Sequence, residues 1–162
     1  MSDKDIYSKR KRTNRQGWYV PLNPKKIIGD PKKIYFRSSW EKKLMFKLDT
    51  SDYILKWGSE VIVVQYISPK DGRCHRYFTD FVVVTKDPED PKKQVVTVIE
   101  VKPDAQKRPP RNTATKKDST YLNEVITYEV NQAKWEAARA YCKARGWQFK
   151  VMTEKQLFPE YK

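Results

Sequence analysis

The chain is poor in three residue types on which many catalytic sites depend. It has two cysteines, one histidine and five glycines among 162 residues. Two cysteines are too few for a disulfide framework, so the reducing cytoplasm is the expected compartment. His75 alone could serve as the base of a nucleophilic triad, and Cys74 beside it does not complete a tetrahedral zinc site. The chain also has no glycine-rich phosphate loop, which argues against nucleotide hydrolysis.

Long apolar segments are also missing. No run approaches the roughly 18 apolar residues that a membrane-spanning helix needs. The first residues, MSDKDIYSKRKRTNRQ, have no apolar core, so we expect no secretory signal there. The sequence therefore predicts a protein without a membrane partner.

Negative charge is in deficit. The chain has 34 Lys and Arg against 20 Asp and Glu, a formal net charge of +14. A small domain needs a net charge of only about 2–8 for solubility, so this excess indicates a polyanionic partner. Cationic surfaces bind nucleic acid by neutralising phosphates and releasing their counterions. Nucleic acid is therefore the expected partner, with solubility alone as the plainer alternative.

The chain does have enough apolar material for one folded domain. Hydrophobic residues make up 38% and aromatic residues 13%, more than a disordered chain contains, and 162 residues can bury a core. Residues 1–33 are basic, polar and interrupted by prolines, which predicts a basic N-terminal arm, or alternatively a solvated tail. Residues 34–162 are predicted to form the folded domain.

The pattern of residues 34–162 is typical of an α/β layered domain. Ser38 and Glu41 have the spacing of a capping box at the start of a helix over 38–49. Asp71 and Gly72 form a hairpin signal between β-branched segments. The remaining predicted elements are an antiparallel three-strand meander (61–67, 75–85 and 94–102), a basic loop at 103–119, a long helix with an inner stripe of Ile126, Val130, Ala133, Ala137, Ala140, Tyr141 and Ala144, and a strand over 147–152.

The strand over 94–102 carries the most informative residues. Its alternation places Glu100 and Lys102 on one face at its end, and its apolar character predicts burial on both sides. Asp80 on the preceding strand would come near Glu100 if the register permits. Two carboxylates with a lysine suit a hard divalent cation such as Mg²⁺, whereas a Glu-x-Lys pair alone is more often an ordinary ion pair.

Other candidates have two readings each. Glu41 lies on the inner stripe of its helix and could join the site, or it could only cap the Ser38 amide. Glu60 could approach the site or pack at a strand start, and Gln132 and Lys134 could lie near it or on a solvated face. A set of basic residues could hold DNA phosphates without reading sequence or could form a solvated charge run: Arg37, Lys107, Arg108, Arg111, Lys116 and Lys117.

Several of these segments together resemble a known nuclease superfamily. Residues 79–81 (TDF) and 99–102 (IEVK) resemble the PD-(D/E)xK signature, and residues 36–41 (FRSSWE) resemble the first motif of its TnsA-type branch. Further stretches are similar to the head-completion nucleases of large tailed phages: 55–60 (LKWGSE), 75–81 (HRYFTDF), 121–124 (YLNE) and 131–137 (NQAKWEA). The resemblance covers residues 34–158, and Thr79 stands where the signature has proline.

The resemblance implies a fold, a chemistry and a setting. The fold would be a restriction-endonuclease-like core, whose mixed sheet is flanked by helices. Asp80, Glu100, the Val101 carbonyl and Glu41 would be ligands of Mg²⁺, for which Mn²⁺ substitutes, and Lys102 would be the catalytic lysine. The substrate would be double-stranded DNA, cut with little sequence preference. The setting would be phage head completion, with head or portal proteins as partners, in the host cytoplasm or the virion.

Two other functions stay open at this stage. A structural protein that binds DNA and seals the phage head would share the charge but lack an active site. A transposon-end or junction endonuclease would share the site, although 162 residues leave no room for a transposase subunit's further domain.

Overall fold

A four-stranded mixed sheet is the framework of the domain. The computed structural model describes residues 16–159. In this range the elements are β1 (Gly17–Trp18), β2 (Tyr35–Phe36), α1 (Ser39–Thr50), β3 (Ile54–Ser59), β4 (Val63–Ile67), β5 (Cys74–Phe78), β6 (Phe81–Lys86), β7 (Gln94–Val101), α2 (Asp118–Lys143), β8 (Gln148–Met152) and α3 (Glu154–Leu157). The sheet has the order β3-β6-β7-β8, with β7 and β8 parallel and the other neighbours antiparallel. The predicted α/β class with a mixed sheet is confirmed.

The predicted three-strand meander is wrong in its details. The strand predicted over 61–67 forms β4, but β4 pairs with β5 in a separate hairpin rather than with the central sheet. Its place in the sheet is taken by β3, which the sequence analysis did not assign. The strand predicted over 75–85 is divided into β5 and β6 at Thr79 and Asp80. The two hairpin connections themselves are where the sequence predicts them.

A β-bulge lies where β3 gives way to β4, opposite the break between β5 and β6. Ser59 pairs with Phe81 and Val63 pairs with Phe78, so residues 60–62 face only residues 79 and 80. Glu60 takes up the extra length with a φ of 55°, in the left-handed region. Bulges bend a strand pair and re-aim its side chains. Here the bend separates the β4–β5 hairpin from the sheet immediately before Asp80.

Gly58 lies at the tightest point of this region. A Cβ on Gly58 would stand 2.8 Å from the carbonyl oxygen of Ile28 and 2.8 Å from Cγ2 of Val61. The Ile28 segment cannot easily move away, because the Ile28 amide donates a 2.8 Å hydrogen bond to the carbonyl of Trp57. A glycine is therefore required for the residue 28 segment and the bulge to lie together against β3.

The first helix is confirmed. The Ser38 hydroxyl accepts a 3.2 Å hydrogen bond from the Glu41 amide and caps α1. Leu44, Met45 and Leu48 are buried on its inner face, at the spacing from which the helix was predicted. They pack against the core formed by the sheet, so α1 covers one face of it.

The long helix is confirmed, but its buried face differs from the predicted stripe, which starts at Ile126. The buried residues of α2 are Asn131, Trp135, Ala138 and Cys142. Trp135 fills the space beside the β4–β5 hairpin, for which the alanines of the predicted stripe are too small.

No helix within residues 16–159 has the length and apolar composition needed to cross a membrane.

The described part of the predicted arm is attached to the domain through Asp49. This carboxylate is fully buried at the end of α1. It accepts hydrogen bonds from the Tyr19 hydroxyl (3.0 Å), the Leu22 amide (2.6 Å) and the Asn23 amide (3.1 Å). Residues 1–15 of the arm lie outside the described residues. The division of the chain at residue 33 stays a prediction.

Candidate active site

Asp80, immediately before β6, lies opposite Glu100 of the neighbouring strand β7. Phe81 of β6 pairs with Ile99 of β7, and the two acidic residues flank this pair, one position before Phe81 and one after Ile99. The Asp80 carboxylate accepts a 2.8 Å hydrogen bond from the Val101 amide. The register therefore brings together the two carboxylates that the sequence analysis selected.

The carboxylate of Glu100 is held on both sides. Its Oε2 accepts a 2.5 Å hydrogen bond from the Tyr77 hydroxyl, and its Oε1 is 3.0 Å from Nζ of Lys102. Glu100 is only 3% exposed, and a buried carboxylate needs such partners because burial penalises its charge. Glu100 is therefore oriented by one residue of the hairpin and one of its own strand.

The surroundings of Asp80 disfavour the charged form of its carboxylate. Burial and the nearby charge of Glu100 raise the pKa of Asp80 to about 7, and Glu41 acts in the same direction. The Val101 amide and Lys102 oppose this rise without cancelling it. Two neighbouring carboxylates, one buried and one partly buried, with insufficient positive charge form an arrangement that a cation would stabilise.

The carboxylates of Asp80 and Glu100 have the chemistry of ligands for a hard cation, but they are only two. Within residues 16–159, no group of three or more His, Cys, Asp and Glu side chains gathers as a metal site. Two carboxylates nevertheless match Mg²⁺, which commonly takes one or two from the protein and completes its shell with water and substrate phosphate. The residues present are thus compatible with Mg²⁺.

Glu41 lies beside the pair rather than within it. Its carboxylate accepts a 2.8 Å hydrogen bond from the Arg37 amide and a 3.1 Å hydrogen bond from the Ser38 hydroxyl. The predicted capping box has the Ser38 amide as the donor to Glu41, whereas the observed backbone donor is the Arg37 amide, one residue earlier. Glu41 is nonetheless close enough to raise the pKa of Asp80.

Arg37 and Glu60 form the rim next to Asp80. Their side chains make an ion pair, and the hydrogen bond to Glu60 is the largest cause of a raised Arg37 pKa, to which Asp80 also contributes. The Glu60 amide donates a 3.1 Å hydrogen bond to the Asp80 carbonyl. The bulge therefore brings Glu60 to the site, which the sequence analysis left open.

Lys134 of α2 also reaches the site, which is one of the two positions that the sequence left open for it. Its Nζ lies 5.5 Å from the ring centre of Tyr77 and 5.7 Å from that of Tyr66. Burial and the charge of Lys102 lower the pKa of Lys134, while Glu100 and Asp80 oppose this change. The signal that could have found it is the position of Lys134 one residue before Trp135, which is buried on this face.

The basic residues of loop 103–119 do not converge on the carboxylates. Arg108 pairs with Asp104, and Lys116 pairs with Glu124 at 2.7 Å. The Lys107 ammonium donates a long, 3.4 Å hydrogen bond to the Val151 carbonyl, and Arg111 and Lys117 are exposed. Arg108, Arg111 and Lys116 line a cavity of about 740 Å³ between this loop and α2.

Comparison with known proteins identifies the family of the chain. Residues 51–154 match the model of a family described as TnsA-like endonuclease N terminal. The head completion nuclease of Enterobacteria phage T4 is 39% identical over 143 residues, which cover 85% of this chain and 90% of that protein. The resemblance noted in the sequence is confirmed: the chain belongs to the TnsA-like endonuclease family.

Proposed function

We propose that this protein is a Mg²⁺-dependent DNA endonuclease that hydrolyses phosphodiester bonds with little sequence preference. One observation carries the proposal: the strand register places Asp80 opposite Glu100 at the end of the sheet, where the charge of Glu100 acts on Asp80 and Lys102 is paired to Glu100. Family membership supports endonuclease chemistry, and the net charge of +14 supports a polyanionic substrate.

Asp80 and Glu100 would hold the cation. The Val101 carbonyl would be a third ligand, and Glu41 a further ligand of the cation or of its water. The raised pKa of Asp80 supports this assignment, because it reports negative charge that the protein leaves uncompensated. When bound, Mg²⁺ would polarise the scissile phosphate and lower the pKa of the attacking water. Mn²⁺ prefers the same oxygen ligands, so we expect it to substitute.

Lys102 would act on the reacting phosphate. Hydrolysis forms a bond between phosphorus and the water oxygen, and breaks a bond between phosphorus and an ester oxygen, which then takes up a proton. The Lys102 ammonium would orient the water and offset the charge that develops on the phosphate oxygens. Its 3.0 Å contact with Glu100 fixes the ammonium in place before DNA arrives.

Arg37 and the basic residues of loop 103–119 would bind the DNA backbone. Arg111 and Lys117 are exposed and available to phosphate, and Lys107 contacts β8 of the sheet. Arg37, Arg108 and Lys116 already pair with carboxylates, so a phosphate would have to replace those partners. Contacts of this kind position DNA without reading its sequence, which supports the low specificity in the proposal.

The expected setting is the completion of a phage head. The support is the 39% identity to a protein named head completion nuclease. The substrate would then be double-stranded DNA at the packaged end, and the partners would be proteins of the head or portal. The protein would act in the host cytoplasm during assembly or as part of the virion.

The proposal is tested by nicking of supercoiled plasmid with Mg²⁺, with Mn²⁺ and with EDTA. Asp80→Asn and Lys102→Met remove one functional group each while keeping the side-chain volume. Asp52→Asn and Lys143→Met make the same changes at exposed positions and serve as matched controls. Sequencing of the cut ends measures the sequence preference.

We expect metal-dependent cutting by the wild type and by both controls. Asp80→Asn and Lys102→Met should lose at least about 100-fold in rate, as for loss of a group that stabilises a transition state, and should still bind DNA. Equal DNA binding by all forms, without cutting under any metal, would refute the nuclease and favour the structural DNA-binding protein. Cutting at one sequence only would refute the low specificity.

A further inference from the structure

Lys134 is a half-buried cation without an anion. Nζ of Lys134 lies over the rings of Tyr77 and Tyr66, at 5.5 and 5.7 Å, and makes no ion pair with any described residue. Lys102, by contrast, is paired with Glu100 at 3.0 Å. A desolvated ammonium is unfavourable unless it gains a partner. The described residues supply no ion-pair partner for Lys134, so a bound ligand is the group that would supply one.

We propose that Lys134 is a second catalytic lysine, which contacts a non-bridging oxygen of the phosphate that is hydrolysed. The inference rests on the proposed function, and it adds a residue outside the signature on β6 and β7. The geometry that carries it is a chain of contacts: Lys134 lies on the ring of Tyr77, and the Tyr77 hydroxyl holds Glu100.

The charges of the site support this role. Asp80, Glu100 and Glu41 contribute three negative charges, and Lys102 and Lys134 contribute two positive charges. A divalent cation would leave the site with one positive charge in excess, and with none if Lys134 were absent. A phosphodiester brings one negative charge and attack on it builds up about one more on the phosphate oxygens, so the second lysine would offset charge that is largest in the transition state.

The two tyrosines hold the ammonium where a phosphate can reach it. Cations within about 6 Å of an aromatic ring centre are attracted to its face, which offsets part of the desolvation without neutralising the charge. A carboxylate in the same place would neutralise Lys134 and block phosphate. The aromatic surroundings thus keep a full positive charge available beside Lys102.

The kinetic test compares Lys134→Met, Lys134→Arg and the exposed Lys143→Met of the same helix. Methionine keeps the stem that packs on the tyrosine rings and removes the charge. We expect Lys134→Met to lose about 100-fold in kcat while its KM, DNA affinity and melting temperature stay close to wild type. Lys134→Arg should recover part of the loss, and Lys143→Met should cut at the wild-type rate.

Two kinetic results would overturn the proposal. One is a kcat of Lys134→Met within threefold of wild type. The other is a loss confined to KM, in parallel with weaker DNA binding, which would make Lys134 one more residue of general attraction. A merely structural lysine would lower the melting temperature together with the rate, and arginine would give no selective recovery of kcat.

A second readout does not depend on cutting. With EDTA present, lysines of the wild type are acetylated with and without a DNA duplex, and labelling is measured by mass spectrometry. We expect DNA to protect Lys134 and to leave Lys143 labelled. Absence of protection overturns the contact even if the enzyme is active. A wild type that cuts nothing but shows protection refutes the nuclease and with it the catalytic role, and leaves Lys134 as a DNA contact.

Discussion

Tyr77 and Glu100, 23 positions apart, share a buried 2.5 Å hydrogen bond. Tyr77 belongs to the β4–β5 hairpin, whereas Glu100 is the last residue but one of the central strand β7. Burial and the charge of Glu100 raise the pKa of Tyr77 far above its usual range, so the hydroxyl keeps its proton and donates at neutral pH. The hairpin therefore helps to orient a carboxylate of the sheet.

Tyr77→Phe removes this donor and almost nothing else. Glu100 would keep its contact with Lys102 and lose the one at Oε2, so its carboxylate would be less well oriented for a cation. We expect kcat to fall about 10-fold and the Mg²⁺ concentration for half-maximal rate to rise. Tyr66→Phe is the control, since Tyr66 lies on the same hairpin and its ring, like that of Tyr77, faces the Lys134 ammonium. Equal activity of the two variants would contradict the role of the hydrogen bond.

Asp80 makes the metal-free protein sensitive to pH. Its pKa is about 7 in the folded chain, against 3.8 for an ordinary aspartate. The folded state therefore binds more protons than the unfolded state between these values, and its stability falls as pH rises from about 4 to 7. The penalty above pH 7 is on the order of 2–4 kcal/mol. Thermal unfolding in EDTA at pH 5 and pH 8 measures it.

Asp80→Asn should remove that penalty while keeping an acceptor for the Val101 amide. We expect the variant to unfold at a higher temperature than wild type at pH 8 in EDTA, with a smaller difference at pH 5. Addition of Mg²⁺ should stabilise the wild type and not the variant. A variant less stable than wild type at pH 8 would show that Asp80 is not strained by its surroundings.

The pair of carboxylates could be predicted because both residues belong to short, regular strand segments that are close in sequence. Strict alternation fixes the face of Glu100 and Lys102, and the short connection between β6 and β7 leaves few registers for Asp80. The strand β3 could not be predicted in this way. Trp57 and Gly58 are both buried although adjacent, so β3 has no alternation, and its place in the sheet follows from pairing with β6.

The sequence left the position of Lys134 open and gave no sign of the buried Asp49, for a related reason. The buried face of α2 depends on which residue fills the space beside the hairpin, and helical periodicity alone favoured the alanine stripe over Trp135. Asp49 is surrounded by the amides of Leu22 and Asn23, and backbone donors leave no mark in a sequence. Tertiary neighbours decide both features.

Asp49→Asn should loosen the segment 19–26. The carboxylate accepts three hydrogen bonds from this segment, and an amide nitrogen cannot accept the one at its position. We expect a loss of about 1–3 kcal/mol in the free energy of unfolding, reduced slightly because a negative charge near a helix C-terminus is unfavourable. Trypsin should then cleave faster after Lys25 and Lys26. The control is Asp52→Asn, at an exposed position, and identical digestion of both variants would contradict the prediction.

Gly58→Ala should disturb the bulge and, through it, the site. The new methyl group would lie 2.8 Å from the Ile28 carbonyl oxygen and 2.8 Å from Val61. Val61 belongs to the bulge that lies opposite Asp80. Displacement of Val61 would therefore move the neighbouring Glu60 amide, which donates a 3.1 Å hydrogen bond to the Asp80 carbonyl. Overpacking of this kind costs about 1–3 kcal/mol, and we expect the rate of DNA cutting to fall more than this loss of stability alone explains.

The measurement for Gly58→Ala is denaturant unfolding together with kcat at a temperature where the variant is fully folded. Gly72→Asn is the control, since that position has open space around it and a φ of 68°, which asparagine tolerates. A fully active Gly58→Ala would mean that the position of Asp80 does not depend on the bulge.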